Sequence, residues 1–280
     1  MGRGERIEYK GAIYHVIQRG NNREYIFHNE IWKGYLIKII KEMKARYNFK
    51  FFGYVIMDNH YHLIIQTLDI PISKIMHGIN SRYGKYYNHN TKRIGPVFQN
   101  RYKGIIVEDE RYLLGLLKYI HLNPVKAKMC SSIDQYKWSS DVFYRRNIKS
   151  LVDIDEVLDI MSVNRIEAIR KYIDFMDDER EDNNFSTEMF ENAIAIGSSN
   201  FKGKLIMEND SKIMALDEIL KEVCPTEEEY NLIKNASRKR YLTEYKISYI
   251  KKAREYNYSY SEIGNYIGIS DAAVINLADK

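Results

Sequence analysis

The sequence predicts an α+β fold in its first half, followed by an all-α region. Three observations carry this. Short runs of strand-forming residues alternate with stretches of helical apolar spacing from residue 11 to residue 123. Residues 131–235 read as mostly helical. Near the end, "YSEIGNYIGISDAAVINL" at 260–277 has the apolar spacing of two short helices joined by a glycine turn.

Taken in order, "GAIYHVIQ" at 11–18 predicts a strand that ends in the turn-prone "RGNN" at 19–22. From Glu30 to Tyr47 the residues Ile31, Tyr35, Ile39, Ile40 and Met43 recur at helical spacing. Residues 49–57, "FKFFGYVIM", and His60–Thr67 predict two strands joined at the tight "DN" turn, hence a hairpin. A helix is expected over Ile72–Tyr87 and a fourth strand over 98–107. After the acidic "EDE" at 108–110, which suits a first helical turn, "RYLLGLLKYIHLN" predicts a helix stopped by Pro124. The order β-α-β-β-α-β-α is the ferredoxin-like arrangement with one added helix.

Charge divides the chain into three. Residues 1–130 carry 22 Lys and Arg against 10 Asp and Glu, a net of +12. Residues 131–235 carry 13 against 23, a net of −10, and residues 236–280 carry 8 against 5, a net of +3. The expected organisation is therefore a basic domain at 1–130, an acidic and mostly helical connector at 131–235, and a basic terminal domain at 236–280. The run "DFMDDEREDNN" at 174–184 is expected to be a solvated loop. A net of +12 favours a polyanionic partner.

No run of eighteen apolar residues exists, so no membrane-spanning helix is expected. The first residues lack the apolar core of a secretory signal. Cys130 and Cys224 lie far apart and form no CxxC pair, which argues against a disulfide framework and suits a reducing cytoplasm.

The stretch "MDNHYHLIIQT" at 57–67 sets two histidines one residue apart at the start of an apolar run. Alternation along a strand puts Tyr61, Leu63 and Ile65 on one face, and His60, His62, Ile64 and Gln66 on the other. Imidazoles at i and i+2 are close enough to converge on one metal ion. Taken alone, such a pair reads more simply as polar residues on a solvent-facing strand. The helix that follows carries Tyr119 and Asn123 one turn apart, on one face. Together they offer a nucleophilic oxygen, two nitrogen ligands and one oxygen ligand. Yet the chain has 24 tyrosines, and most must pack in the core or on the surface.

Five stretches in order then make a resemblance. They are "RIEYKGAIYHVIQRGNN" at 6–22, "YVIMDNHYHLIIQT" at 54–67, "SRYGKYYN" at 81–88, "GPVFQNRYKGIIVEDERYLL" at 95–114 and "YIHLNPVKAKM" at 119–129. The segment 6–130 resembles the single-tyrosine HUH transposases, and among them the group associated with repetitive extragenic palindromes. The resemblance implies that Tyr119 is the nucleophile, that His60 and His62 are paired metal ligands, and that Asn123 is the third ligand.

It further implies a DNA strand-cleaving enzyme, acting on single-stranded or hairpin DNA through a 5′-phosphotyrosine. A phenol near pKa 10 is a poor nucleophile at neutral pH, so a divalent cation would have to compensate by polarising the scissile phosphate. Mg2+ prefers oxygen ligands and Mn2+ tolerates imidazole better, so either is expected. Metal-binding imidazoles must be neutral, so activity should fall below about pH 6.5.

Phosphate contacts are expected from Arg19, Arg23, Arg82, Lys85, Arg101 and Lys103, with base stacking on Tyr83, Tyr86, Tyr87 or Tyr102. Core packing explains any one of those tyrosines at least as well. The tail resembles a helix-turn-helix: Ser259 and Glu262 form a capping box, Gly264 packs between helices, Gly268 turns the chain, and Ser270 caps the second helix. Duplex DNA is its expected partner, although only Asn276 and Lys280 on that second helix suit base or phosphate contacts. A helical packing module competes with this reading. For the whole chain, the competitors are a catalytically idle DNA-binding regulator on the same scaffold and a metalloesterase that does not use Tyr119. Relatives occur as monomers and as dimers, so a homodimer stays open.

Overall fold

A computed structural model describes residues 7–178, 190, 193–203, 205, 214–256 and 258–278. They fall into two compact units that divide between Lys202 and Gly203.

The first unit opens with β1 (Ile13–Arg19), α1 (Glu30–Tyr47), β2 (Lys50–Ile56), β3 (His60–Gln66), α2 (Ile72–Thr91), β4 (Lys103–Val107) and α3 (Glu110–Lys126). Short helices α4 (Asp141–Arg145) and α5 (Asp155–Met161) follow, then α6 (Arg165–Asp177) and a two-residue strand β5 (Ala195–Ile196). The sheet runs β2-β3-β1-β4-β5. Its first four strands pair antiparallel, and β5 joins β4 in parallel.

Strand periodicity gives the sheet two different faces. Tyr14 and Val16 of β1 stand beside Tyr61, Leu63 and Ile65 of β3, all deeply buried. On this side Tyr61 donates to Asn80 of α2 at 2.5 Å, and α1 packs along α2. The opposite face carries His15, Ile17 and Arg19 opposite Ile64, His62 and His60. That face is covered by α3. A Cβ on Gly53 of β2 would lie 2.5 Å from the side chain of Leu117, so α3 sits close against the strand because this position has no side chain.

Of the element boundaries that differ from expectation, two bear on the site. The fourth strand begins at Lys103 rather than 98. Phe98 bridges Gly20, and Gln99 N donates to Arg19 O, but the chain then leaves the ladder until Lys103 pairs Ile17. The expected helix end at Pro124 is also corrected, since α3 continues through it to Lys126. Only one intrahelical bond is lost at a proline, and here the carbonyl left open by it, Ile120 O, receives Nδ2 of Asn123 at 3.4 Å.

Residues beyond 130 pack on the same unit. His121 of α3 is fully buried, with Nε2 2.7 Å from Ser140 Oγ, and Tyr172 of α6 donates to Asp141 at 3.0 Å. Tyr144 stacks on Tyr172 with centroids 4.8 Å apart. The expected loop at 174–184 is helical as far as Asp177, because Ala168, Tyr172 and Met176 bury one stripe of α6 and Arg145 pairs Asp177. Residues 179–184 lie outside the described residues.

The second unit comprises α7 (Leu216–Val223), α8 (Glu227–Lys234), α9 (Thr243–Glu255), α10 (Tyr260–Ile267) and α11 (Asp271–Ala278). Ile219, Leu220, Leu242, Tyr249, Ile250, Ile263, Ile267 and Val274 form its core. Ser259 and Glu262 cap α10 reciprocally, at 3.2 and 2.8 Å. Gly268 ends α10 at φ 67°, a left-handed conformation that favours glycine. Ser270 Oγ accepts from Ala273 N at 3.3 Å at the start of α11.

Candidate active site

Antiparallel pairing of β1 with β3 gathers three histidines on the face beneath α3. His60 and His62 stand at i and i+2, with ring centroids 5.1 Å apart. His15, which the sequence reading did not single out, reaches His62 from the next strand: its Nε2 lies 2.8 Å from His62 Nδ1. No spacing in the chain signals this partner, because the register of two strands 47 residues apart creates the contact. On the other side of His62, His60 Nδ1 lies 2.6 Å from Asn59 Oδ1.

Helix α3 lays Tyr119 over this pair, with its ring 6.1 Å from that of His62 and 6.2 Å from that of His15. Asn123 follows one turn later. Its Nδ2 donates to the main-chain carbonyls of Tyr119 at 2.9 Å and Ile120 at 3.4 Å, which leaves Oδ1 as the acceptor end of the amide. Phe190, from the distant acidic stretch, packs against Tyr119 and His15 with centroids 4.5 and 4.8 Å away. The sequence reading did not include it.

A cavity of about 360 Å³ opens here. His60, His62, Tyr119 and Asn123 border it together with Arg19, Arg101, Lys103 and Phe190. The break in the ladder before β4 puts Gln99, Asn100 and Arg101 on its wall. Three of the six expected phosphate contacts thus meet the four chemical groups, and three do not line the cavity. Arg23 is exposed in the loop after β1. Arg82 pairs with Glu42 of α1 at 2.6 Å, and Lys85 lies on the same α2 helix.

The expected stacking tyrosines are largely core residues. Tyr83 is fully buried and donates to Ile26 O at 2.7 Å. Tyr87 packs on Trp32, and Tyr102 is also buried. Tyr86 stacks on Tyr35. In the second unit Asn276 is exposed on α11.

Burial favours the neutral form of all three histidines. Burial lowers His60 to about 4, helped by nearby Arg19. Burial lowers His15 to about 3, and Lys103 adds to it. His62 is held well below 6.5, chiefly by burial and then by His60, His15 and Arg19. Desolvation and neighbouring cations disfavour the imidazolium, which favours an acid limit below the expected pH 6.5.

Among the described residues no group of three or more His, Cys, Asp and Glu is placed to hold a metal ion. Two imidazoles and one amide oxygen lie outside that description, and their chemistry fits a divalent cation. His62 Nε2 is buried without a hydrogen-bond partner while its ring lines the cavity, which is the state a ligand nitrogen would have before metal arrives. Among the described residues no helix is long and apolar enough to cross a membrane.

Residues 8–123 match the family model described as Transposase IS200 like. No curated protein matches the chain. One similar solved structure is a tyrosine transposase associated with REP sequences, bound to a REP hairpin. It is 21% identical, with a TM-score of 0.44, over 55% of this chain and 90% of that one. Another is a candidate transposase of Deinococcus radiodurans R1, 16% identical, with a TM-score of 0.31, over 43% of this chain and 94% of that one.

Proposed function

We propose, from the match of residues 8–123 to the IS200-like transposase model, that this chain cuts and rejoins single-stranded or hairpin DNA through Tyr119. The observation that carries the reading is the meeting of Tyr119 and Asn123 with His60 and His62 on one cavity, 6.1 Å between the Tyr119 and His62 rings.

Tyr119 Oη would attack a backbone phosphorus. The P–O bond to the 3′ carbon side breaks, a 3′-hydroxyl leaves, and the 5′-phosphate stays on the tyrosine. The phenolic proton passes to the departing oxygen by way of solvent. Because one phosphoester replaces another, a second 3′-hydroxyl can reverse the step and join a new end. Arg19, Arg101 and Lys103 on the cavity wall would hold the flanking phosphates. His60, His62 and Asn123 would hold Mg2+ or Mn2+, which supplies charge neutralisation on the scissile phosphate when bound. On this reading the four antiparallel strands and helices α1–α3 are a ferredoxin-like nuclease core.

Helices α10 and α11 would act as a helix-turn-helix on duplex DNA beside the cleaved end, with Asn276 exposed on the second helix. The acidic connector of the sequence reading would in part buttress the nuclease core.

A catalytically idle regulator is the second reading. It draws on Tyr119 being only 6% exposed beneath Phe190. Incubating the protein with Mg2+ and labelled hairpin oligonucleotides separates the two on a denaturing gel. Strand breaks support the nuclease, and binding without any break supports the regulator.

A further inference from the structure

Both imidazoles at the cavity are tied at Nδ1, by different partners. Asn59 Oδ1 can only accept, so His60 carries its proton on Nδ1 and its lone pair on Nε2. For His62 the partner is another imidazole, and two proton arrangements satisfy the 2.8 Å contact. If His15 donates, the proton of His62 sits on Nε2 and blocks it. If His62 donates from Nδ1, its Nε2 keeps a lone pair.

His15 is fully buried and does not line the cavity, and its hydrogen bond to the site is the one it makes with His62. An imidazole in this place is a costly choice, since its own Nδ1 has no hydrogen-bond partner and an apolar side chain would incur no such penalty. The ring planes are within 18° of parallel, and with the nitrogens 2.8 Å and the centroids 5.1 Å apart the contact runs edge to edge through the two nitrogens.

We infer that His15 is a positioning residue that accepts the Nδ1 proton of His62 and so holds His62 in the one tautomer whose Nε2 can ligate a cation. This rests on the metal-assisted reading given above. It assigns to His15 the same service that Asn59 performs for His60, so that a strand partner and a turn residue together present two Nε2 lone pairs. Outer partners of ligating histidines usually change metal affinity by about 10- to 100-fold when removed.

The test is Mn2+ binding to the full chain without DNA, followed by calorimetry and by the electron paramagnetic resonance of free Mn2+. His15→Leu should weaken binding by about 10- to 100-fold, and His15→Gln, whose amide oxygen can accept from Nδ1, should recover most of it. Hairpin binding without metal should be the same in all three proteins. Mn2+ affinity unchanged in His15→Leu would overturn the inference while leaving the proposed function intact. No Mn2+ binding by the unaltered chain would overturn both. A readout free of mutation guards against misfolding: long-range 1H–15N spectra of the Mg2+-loaded protein should show His62 protonated at Nδ1. A proton on His62 Nε2 would overturn the assignment.

Discussion

Asn123 Nδ2 donates to the main-chain carbonyl of Tyr119 at 2.9 Å, so the proposed nucleophile and the amide one turn later are tied to each other within a single helix. Pro124 completes the device. It has no N–H for the carbonyl of Ile120, and the Asn123 amide fills that space at 3.4 Å.

Pro124→Ala restores the missing helix bond and lets it compete with Asn123. Stability should rise by about 1–3 kcal/mol, the usual cost of an interior proline, while Mn2+ affinity and cleavage fall several-fold. Urea unfolding and single-turnover cleavage measure the two effects. Asn123→Ala should lower cleavage less than His60→Ala or His62→Ala, because water can replace one neutral oxygen ligand. Equal losses in all three would contradict that ranking.

Acid should act through folding rather than through the proposed metal ligands. His15, His60 and His121 have folded values of about 3, 4 and 4, and His62 lies well below 6.5, all lowered mainly by burial. A lowered histidine pKa means that the unfolded chain binds more protons below about pH 6.5. The stability due to neutral burial is therefore complete above about 6.5 and is lost as pH falls toward about 4. Thermal unfolding at pH 7, 6 and 5 without metal should show a midpoint that drops stepwise. Cleavage should persist at pH 5.5 in protein that is still folded. A loss of cleavage near pH 6.5 with an unchanged unfolding midpoint would show that the site histidines titrate normally.

Chain length gives an independent check. A chain ending at Lys202 keeps the whole first unit and should fold and nick short hairpins. One ending at residue 150 lacks Tyr172, which stacks on Tyr144 and donates to Asp141 beside His121, so it should be unstable. On duplex-flanked ends, loss of residues 203–280 should weaken binding and flatten its salt dependence modestly, since fewer counterions are released. An identical salt slope would assign α10 and α11 to packing instead of DNA.

Local rules found what local rules govern. Period-two alternation put His60 and His62 on one face, and helical spacing paired Tyr119 with Asn123. The capping box at Ser259 and the turn at Gly268 were legible because each involves neighbours in sequence. What stayed hidden depends on contacts between distant segments. His15 becomes a partner of His62 only through the β1–β3 register, and Phe190 reaches Tyr119 from beyond α6. Charge alone could not tell Arg101, on the cavity wall, from Arg82, which pairs with Glu42. Nor could it show that a net-negative segment buries Tyr144 and Tyr172 against the basic domain.

The most direct measurement follows the covalent bond. A hairpin oligonucleotide labelled at its 3′ end is incubated with Mg2+ and the protein, then run under denaturing conditions and mapped by peptide mass spectrometry. The account predicts that the 3′ label, and not a 5′ label, migrates with the protein, that the modified peptide contains Tyr119, and that Tyr119→Phe binds the hairpin normally yet forms no adduct. An adduct that survives in Tyr119→Phe, or one that carries the 5′ label, would contradict it.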